Sequence, residues 1–161
     1  MHHDLLENCC FDIDGVLCID PTEDENDDGP KYEHFLENVE PFFRPSKTIG
    51  YLVTNRLERY RALTEAWLSK HNVKYNHLIM LDLPDKAARL KANNHGGFKA
   101  SVYVKYDCYL FIESSIWQAK QIADISGKPV YCTDERKMVF PNSMGKSKFL
   151  LKKIIKKLIR R

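Results

Sequence analysis

The stretch Cys9-Cys10-Phe11-Asp12-Ile13-Asp14-Gly15-Val16-Leu17-Cys18 decides how the chain is read. A short apolar run closes on a carboxylate, a second carboxylate follows two positions on, and Gly15 lets the backbone turn. Charge at the end of a buried strand must be met by a cation, a proton or hydrogen-bond donors, because an unpaired buried carboxylate is strongly disfavoured. If the chain stays extended, a spacing of two sends both side chains to one side. One carboxylate can then attack while its neighbour carries a proton. Calcium loops and acidic turns give the same pattern of two acids and a glycine, so partners further along the chain must decide.

Working outward, apolar runs recur at Thr48–Thr54, Leu78–Leu81, Cys108–Ile112 and Lys128–Cys132, each bounded by polar or turn residues, and each predicts a strand. Helical spacing of Leu57, Tyr60, Leu63, Trp67 and Leu68 predicts a helix from Arg56 to Lys70. Further helices are expected over Tyr32–Val39, over Asp85–Asn93, from Phe98, and after Ser115, where Ile116, Ala119, Ile122 and Ala123 share a side. Asn93-Asn94-His95-Gly96-Gly97 reads as a loop, and Gly127 as a helix stop. Strands alternating with helices predict an α/β fold: a Rossmann-like, doubly wound parallel sheet of about five strands, with sites at the strand C-terminal ends.

A length of 161 residues with 43% hydrophobic content suits one domain with its own core. No stretch reaches the roughly 20 apolar residues of a membrane span, and Met1-His2-His3-Asp4 lacks the features of a secretory signal, so a cytoplasmic protein is expected. The five cysteines form no CxxC pair and four sit in or beside apolar runs, which favours small buried hydrophobes over disulfides or zinc. Net charge is +3, yet the first 144 residues carry 17 basic and 22 acidic groups, while Gly145 onward holds eight Lys or Arg and no acid. Residues 145–161 alternate apolar and basic pairs and predict a basic amphipathic helix, able to pack on its own domain, dock on a partner protein or lie on an anionic membrane surface. Its single aromatic argues against nucleic acid.

Asp12-Ile13-Asp14-Gly15-Val16 resembles the first motif of the haloacid dehalogenase (HAD) superfamily of phosphotransferases. The resemblance implies Asp12 as the nucleophile that forms an aspartyl-phosphate and Asp14 as general acid and base. Thr54-Asn55-Arg56, closing the second strand, resembles the second motif and implies that Thr54 and the Asn55 amide hold the phosphoryl group. Arg56, at the expected helix start, either reaches that phosphate or is solvated, as does Arg59. The family also needs a lysine upstream of its last acidic motif. Lys99 fits best and Lys105 second. Glu113 stands where the fourth motif commonly shows paired aspartates, so the implied Mg2+ site is Asp12, Asp14 and Glu113, with Ser114 or Gln118 orienting the acid. Taken alone, Thr54 reads as a helix cap and Glu113 as a partner of the following helix start.

The resemblance covers about Asn8 to Cys132. Phe-Asp-Ile-Asp-Gly-Val-Leu-Cys, Leu-Val-Thr-Asn-Arg and Phe-Ile-Glu-Ser-Ser are also similar to HAD domains that accompany phosphoribosyltransferase domains. It implies a HAD-like catalytic domain over residues 1–144 with no full cap, a small flap or insert at about 19–47, and the separate helix at 145–161. Within that insert Asp20–Asp28 reads either as a solvated acidic loop or as a flap over the site. The implied function is magnesium-dependent hydrolysis of a phosphorylated small molecule. The alternative is a catalytically weakened phosphate-binding or interaction module, recruited to a partner or membrane by its basic tail.

Overall fold

The computed structural model describes residues 3–92 and 94–142. The predicted helix at 145–161 lies outside them. A six-stranded sheet forms the middle layer, built from β1 (Cys9–Phe11), β2 (Ile49–Leu57), β3 (Tyr75–Leu81), β4 (Leu110–Glu113), β5 (Val130–Cys132) and β6 (Lys137–Val139). Its order is β3-β2-β1-β4-β5-β6. The first five strands run parallel and β6 pairs antiparallel with β5. The chain thus steps outward from β1 to β3, then crosses back to β4 and steps the other way. The point of reversal lies between β1 and β4, which in open α/β sheets is where the crevice opens.

Five helices connect the strands among the described residues: α1 (Pro30–Asn38), α2 (Arg61–Lys70), α3 (Lys86–Ala92), α4 (His95–Lys105) and α5 (Ile116–Ser126). Both faces of the sheet are covered, because strand side chains alternate between two apolar clusters. Cys9 and Phe11 join one cluster with Phe35, Leu36 and Trp67 of α1 and α2. Cys10 joins the other with Ala100 and Tyr103 of α4 and Ile122 of α5. Trp67 ties its layer further by donating from its indole N–H to the Val39 carbonyl at 2.6 Å. All five cysteines are buried and free. Among the described residues no helix is long and apolar enough to cross a membrane.

Three expectations need correction. The sheet has six strands, and β6 at the edge was not foreseen, because only Val139 of its three residues is buried. The helix expected from Arg56 starts at Arg61; the chain stays extended through Leu57, with an irregular register between Val53 and Leu57. Residues expected to be loop at 95–97 instead open α4. There Gly96 packs against α5, where an added Cβ would lie 2.4 Å from Gln121 Oε1. Gly127 does end α5 in the left-handed conformation, at φ 72°.

Gly50 is held by backbone rather than by side chains. A Cβ there would meet the Glu7 carbonyl oxygen at 2.1 Å and that of Cys9 at 3.3 Å. Gly50→Ala must push β2 off β1 and the preceding 3-10 turn. We expect a loss of about 1–3 kcal/mol, measured as a lower urea midpoint with an unchanged slope.

Candidate active site

Segments far apart in sequence meet at the C-terminal edge of β1, β2 and β4. Asp12 immediately follows β1, and its backbone N–H still donates to the Ile112 carbonyl of β4 at 3.0 Å. Its Oδ1 accepts from the Ile13 N–H at 2.9 Å. Lys99 comes from α4, on the opposite side of the crossover. Its Nζ lies 2.5 Å from Asp12 Oδ2, 2.7 Å from Glu113 Oε2 and 2.9 Å from Gln118 Oε1. Lys99 and Glu113 are fully buried and Asp12 is 5% exposed, so the ammonium is what makes two neighbouring acids tolerable there. Burial works against the charge on Lys99, but the Asp12 and Glu113 carboxylates outweigh it and raise its pKa. Burial pushes the Asp12 carboxyl up, with Lys99 pulling the other way and the Glu113 and Asp14 charges adding to the rise.

Asp14 is gripped by Arg56. The guanidinium Nη2 donates to Asp14 Oδ1 at 2.6 Å, and Nε approaches both carboxylate oxygens at 3.1–3.2 Å. Arg56 is 1% exposed and also touches Thr64 Oγ1 and Cys18 Sγ. Burial opposes its charge, and Asp14 more than compensates, so its pKa is raised. Both phosphate-contact and solvated readings of Arg56 therefore give way to a third. Because β2 stays extended past Thr54, the side chain turns inward to Asp14 and does not line the cleft. Arg59 likewise pairs with Asp28, 2.7 Å away, and Lys105 is exposed at the end of α4.

Asp12, Asp14, Thr54, Asn55 and Lys99 border one cleft of about 250 Å³. Buried Thr54 accepts the Arg56 N–H on its hydroxyl at 3.2 Å rather than capping a helix. Asn55 donates from Nδ2 to Gln118 Oε1 at 3.1 Å, while its own Oδ1 is buried with no partner. Gly15, at φ +73°, turns the chain behind Asp14. A Cβ there would fall 2.1 Å from Ser114 Oγ, so only glycine lets the loop after β1 close on the loop after β4.

Glu113 does not line this cleft. Its Oε1 accepts the Ser114 and Ser115 N–H groups at 3.0 and 3.2 Å, and its Oε2 holds Lys99. It is therefore the partner of a helix start and of the lysine at once. Of the expected metal ligands, Asp12 and Asp14 line the cleft and Glu113 does not. Among the described residues no three His, Cys, Asp or Glu side chains are arranged around one point as an ion site.

The remaining wall comes from Asp20, Pro21 and Asn26, within the run that the sequence offered as a flap over the site, and from residues that sequence reasoning did not assign: Tyr32 on α1, Arg89 and Leu90 on α3, and His95. The acidic run is thus a built wall and not merely solvated loop. Asp27 caps α1 through the Gly29 and Tyr32 N–H groups, and Asp28 accepts the Tyr60 hydroxyl and the Lys86 N–H, each at 3.0 Å. Partial burial first, then the Asp14 and Glu113 charges, raise the Asp20 carboxyl. A clue was available in the density of turn-forming and capping residues at 20–30, but Arg89 and His95 carry no local signal of a site. No protein-family model, curated protein or solved structure matches this chain.

Proposed function

We propose that the chain is a minimally capped, magnesium-dependent phosphatase of the HAD type, acting on a small phosphomonoester. The observation that carries the reading is the buried Asp12–Lys99–Glu113 triad opening, through Asp12, on the cleft that Asp14 and Thr54 also line. Asp12 attacks phosphorus, the bond to the leaving oxygen breaks, and Asp14 delivers a proton to that oxygen. Asp14 then takes a proton from water, which attacks the aspartyl-phosphate and frees Asp12 and inorganic phosphate. Lys99 offsets charge on the phosphoryl oxygens, and Thr54 with the Asn55 amide positions them. Arg56 keeps Asp14 in place throughout.

The donors suit magnesium, which characteristically uses one or two carboxylates together with waters and a substrate phosphate rather than a closed protein cage. Asp12 and Asp14 would hold it, and the clustered carboxylates outnumber the buried cations around them. When bound, it supplies further stabilisation of charge on the transferring group.

The test is hydrolysis of a generic aryl phosphate by the full chain. Turnover should fall when divalent ions are chelated, return with magnesium, and depend on Asp12. Equal turnover by Asp12→Asn would overturn the mechanism. The closed Glu113 carboxylate favours a second reading, a phosphate-binding module with weakened catalysis. Calorimetric binding of inorganic phosphate without turnover of any ester would support that reading instead.

A further inference from the structure

We infer that the leaving group of the substrate carries a second anionic group, a carboxylate or another phosphate, and that Arg89 receives it. This rests on the phosphatase reading and narrows its substrate class. The cleft has two strong cations on its wall, and they differ in what already holds them. Lys99, beside the nucleophile, is clasped by two carboxylates. Arg89 is half-buried and, among the described residues, has no carboxylate within ion-pair distance.

Its contacts are all to neutral groups. Nη1 donates to the Asn55 carbonyl at 3.3 Å and Nη2 to Asn26 Oδ1 at 3.2 Å, while Nε is buried with no partner. A guanidinium keeps its charge at any working pH and presents a rigid fork of donors matched to a carboxylate or phosphate. Left partly desolvated and without a counter-charge, it is a cation prepared for an anion.

Its place in the fold differs from that of Lys99. Lys99 approaches from α4 on the Asp12 side, whereas Arg89 sits on α3 and is fixed to the wall segment through Asn26. Pro21, Tyr32 and Leu90 supply apolar surface to the same cleft, where a short carbon skeleton can lie. His95 adds a neutral polar group: burial, then the Arg89 and Lys99 charges, hold its pKa below the ordinary histidine value. A volume of about 250 Å³ is at the small end for ligand sites and admits a phosphoryl group with a few further atoms.

Phosphoglycolate and ethyl phosphate, equal in skeleton and differing in the carboxylate, provide the comparison. For the full wild-type chain with magnesium, kcat/KM should favour phosphoglycolate by about 10- to 100-fold, the range of a charge-assisted hydrogen-bonded pair. Arg89→Gln should bring that ratio close to one, and Arg89→Lys should restore part of it. A wild-type ratio at or below one, a ratio that survives Arg89→Gln, or an equal fall on both esters would overturn the assignment. The third result would put Arg89 on the phosphoryl group itself. Calorimetric binding of the same two compounds keeps the question separate from catalysis. A binding preference erased by Arg89→Gln, with no turnover of either ester, would sustain the anion site and sink the phosphatase. Asp12-dependent turnover of both esters without preference would do the reverse.

Discussion

Lys99→Met is expected to lower folding stability by about 3–5 kcal/mol and to abolish turnover, the scale on which removing one partner of a buried ion pair is felt. Methionine has nearly the length of lysine and fills irregular space well, so the loss of packing is small. What remains is electrostatic. Asp12 Oδ2 and Glu113 Oε2 would be left in a dry site, close enough to share a single ammonium and with no cation between them. Asp12→Asn makes the contrast. It removes one of the two acids and keeps the Lys99–Glu113 pair, so its fold should survive while turnover falls by roughly 10³-fold or more. Urea denaturation and aryl phosphate hydrolysis on both variants check this. If Lys99→Met proves as stable as the wild type, Lys99 does not hold the two carboxylates together in solution.

That triad was largely legible from the sequence, for a physical reason. A strand buried on both faces must be apolar, so an acid at the end of Cys9–Phe11 or of Leu110–Ile112 stands out against its run. Lys99 lacked such contrast, and only the family resemblance, which implies a lysine upstream of the last acidic motif, singled it out. Arg56 was misplaced because Leu57, Tyr60 and Leu63 fit a helical period, while tertiary pairing with β3 keeps the backbone extended as far as Leu57. Gly96 looked like part of a loop because composition carries no information about a partner helix packed closely against it. The cleft wall was hidden for a related reason. Asn26, Tyr32 and Arg89 become neighbours only after the chain between β1 and β2 folds back over α3, and no local periodicity encodes that return. The cleft edge that carries Asp12 and Thr54 is therefore written in the strand ends, whereas the wall that carries Asn26 and Arg89 is written in contacts between segments.

Arg56 offers the other large effect, and the kinetics can separate its two possible jobs. Arg56→Leu should cost about 3 kcal/mol, toward the lower end for a broken buried pair because the Asp14 side chain keeps 17% exposure and can draw on water. In a double-mutant cycle with Asp14→Asn, a coupling of about 1–3 kcal/mol is expected for groups in direct contact. The activity readout is more telling than the stability. A guanidinium that positions the proton carrier acts when the leaving oxygen must be protonated, so its loss should lower kcat and leave KM nearly unchanged. A guanidinium that binds the phosphate would act on substrate capture, and its loss should raise KM. Arg56→Lys sharpens the distinction, since it keeps the charge but not the fork that meets both Asp14 oxygens. It should recover little of kcat if orientation is what Arg56 provides. A variant series in which KM rises while kcat holds would return Arg56 to the phosphate and leave Asp14 without its fixed partner.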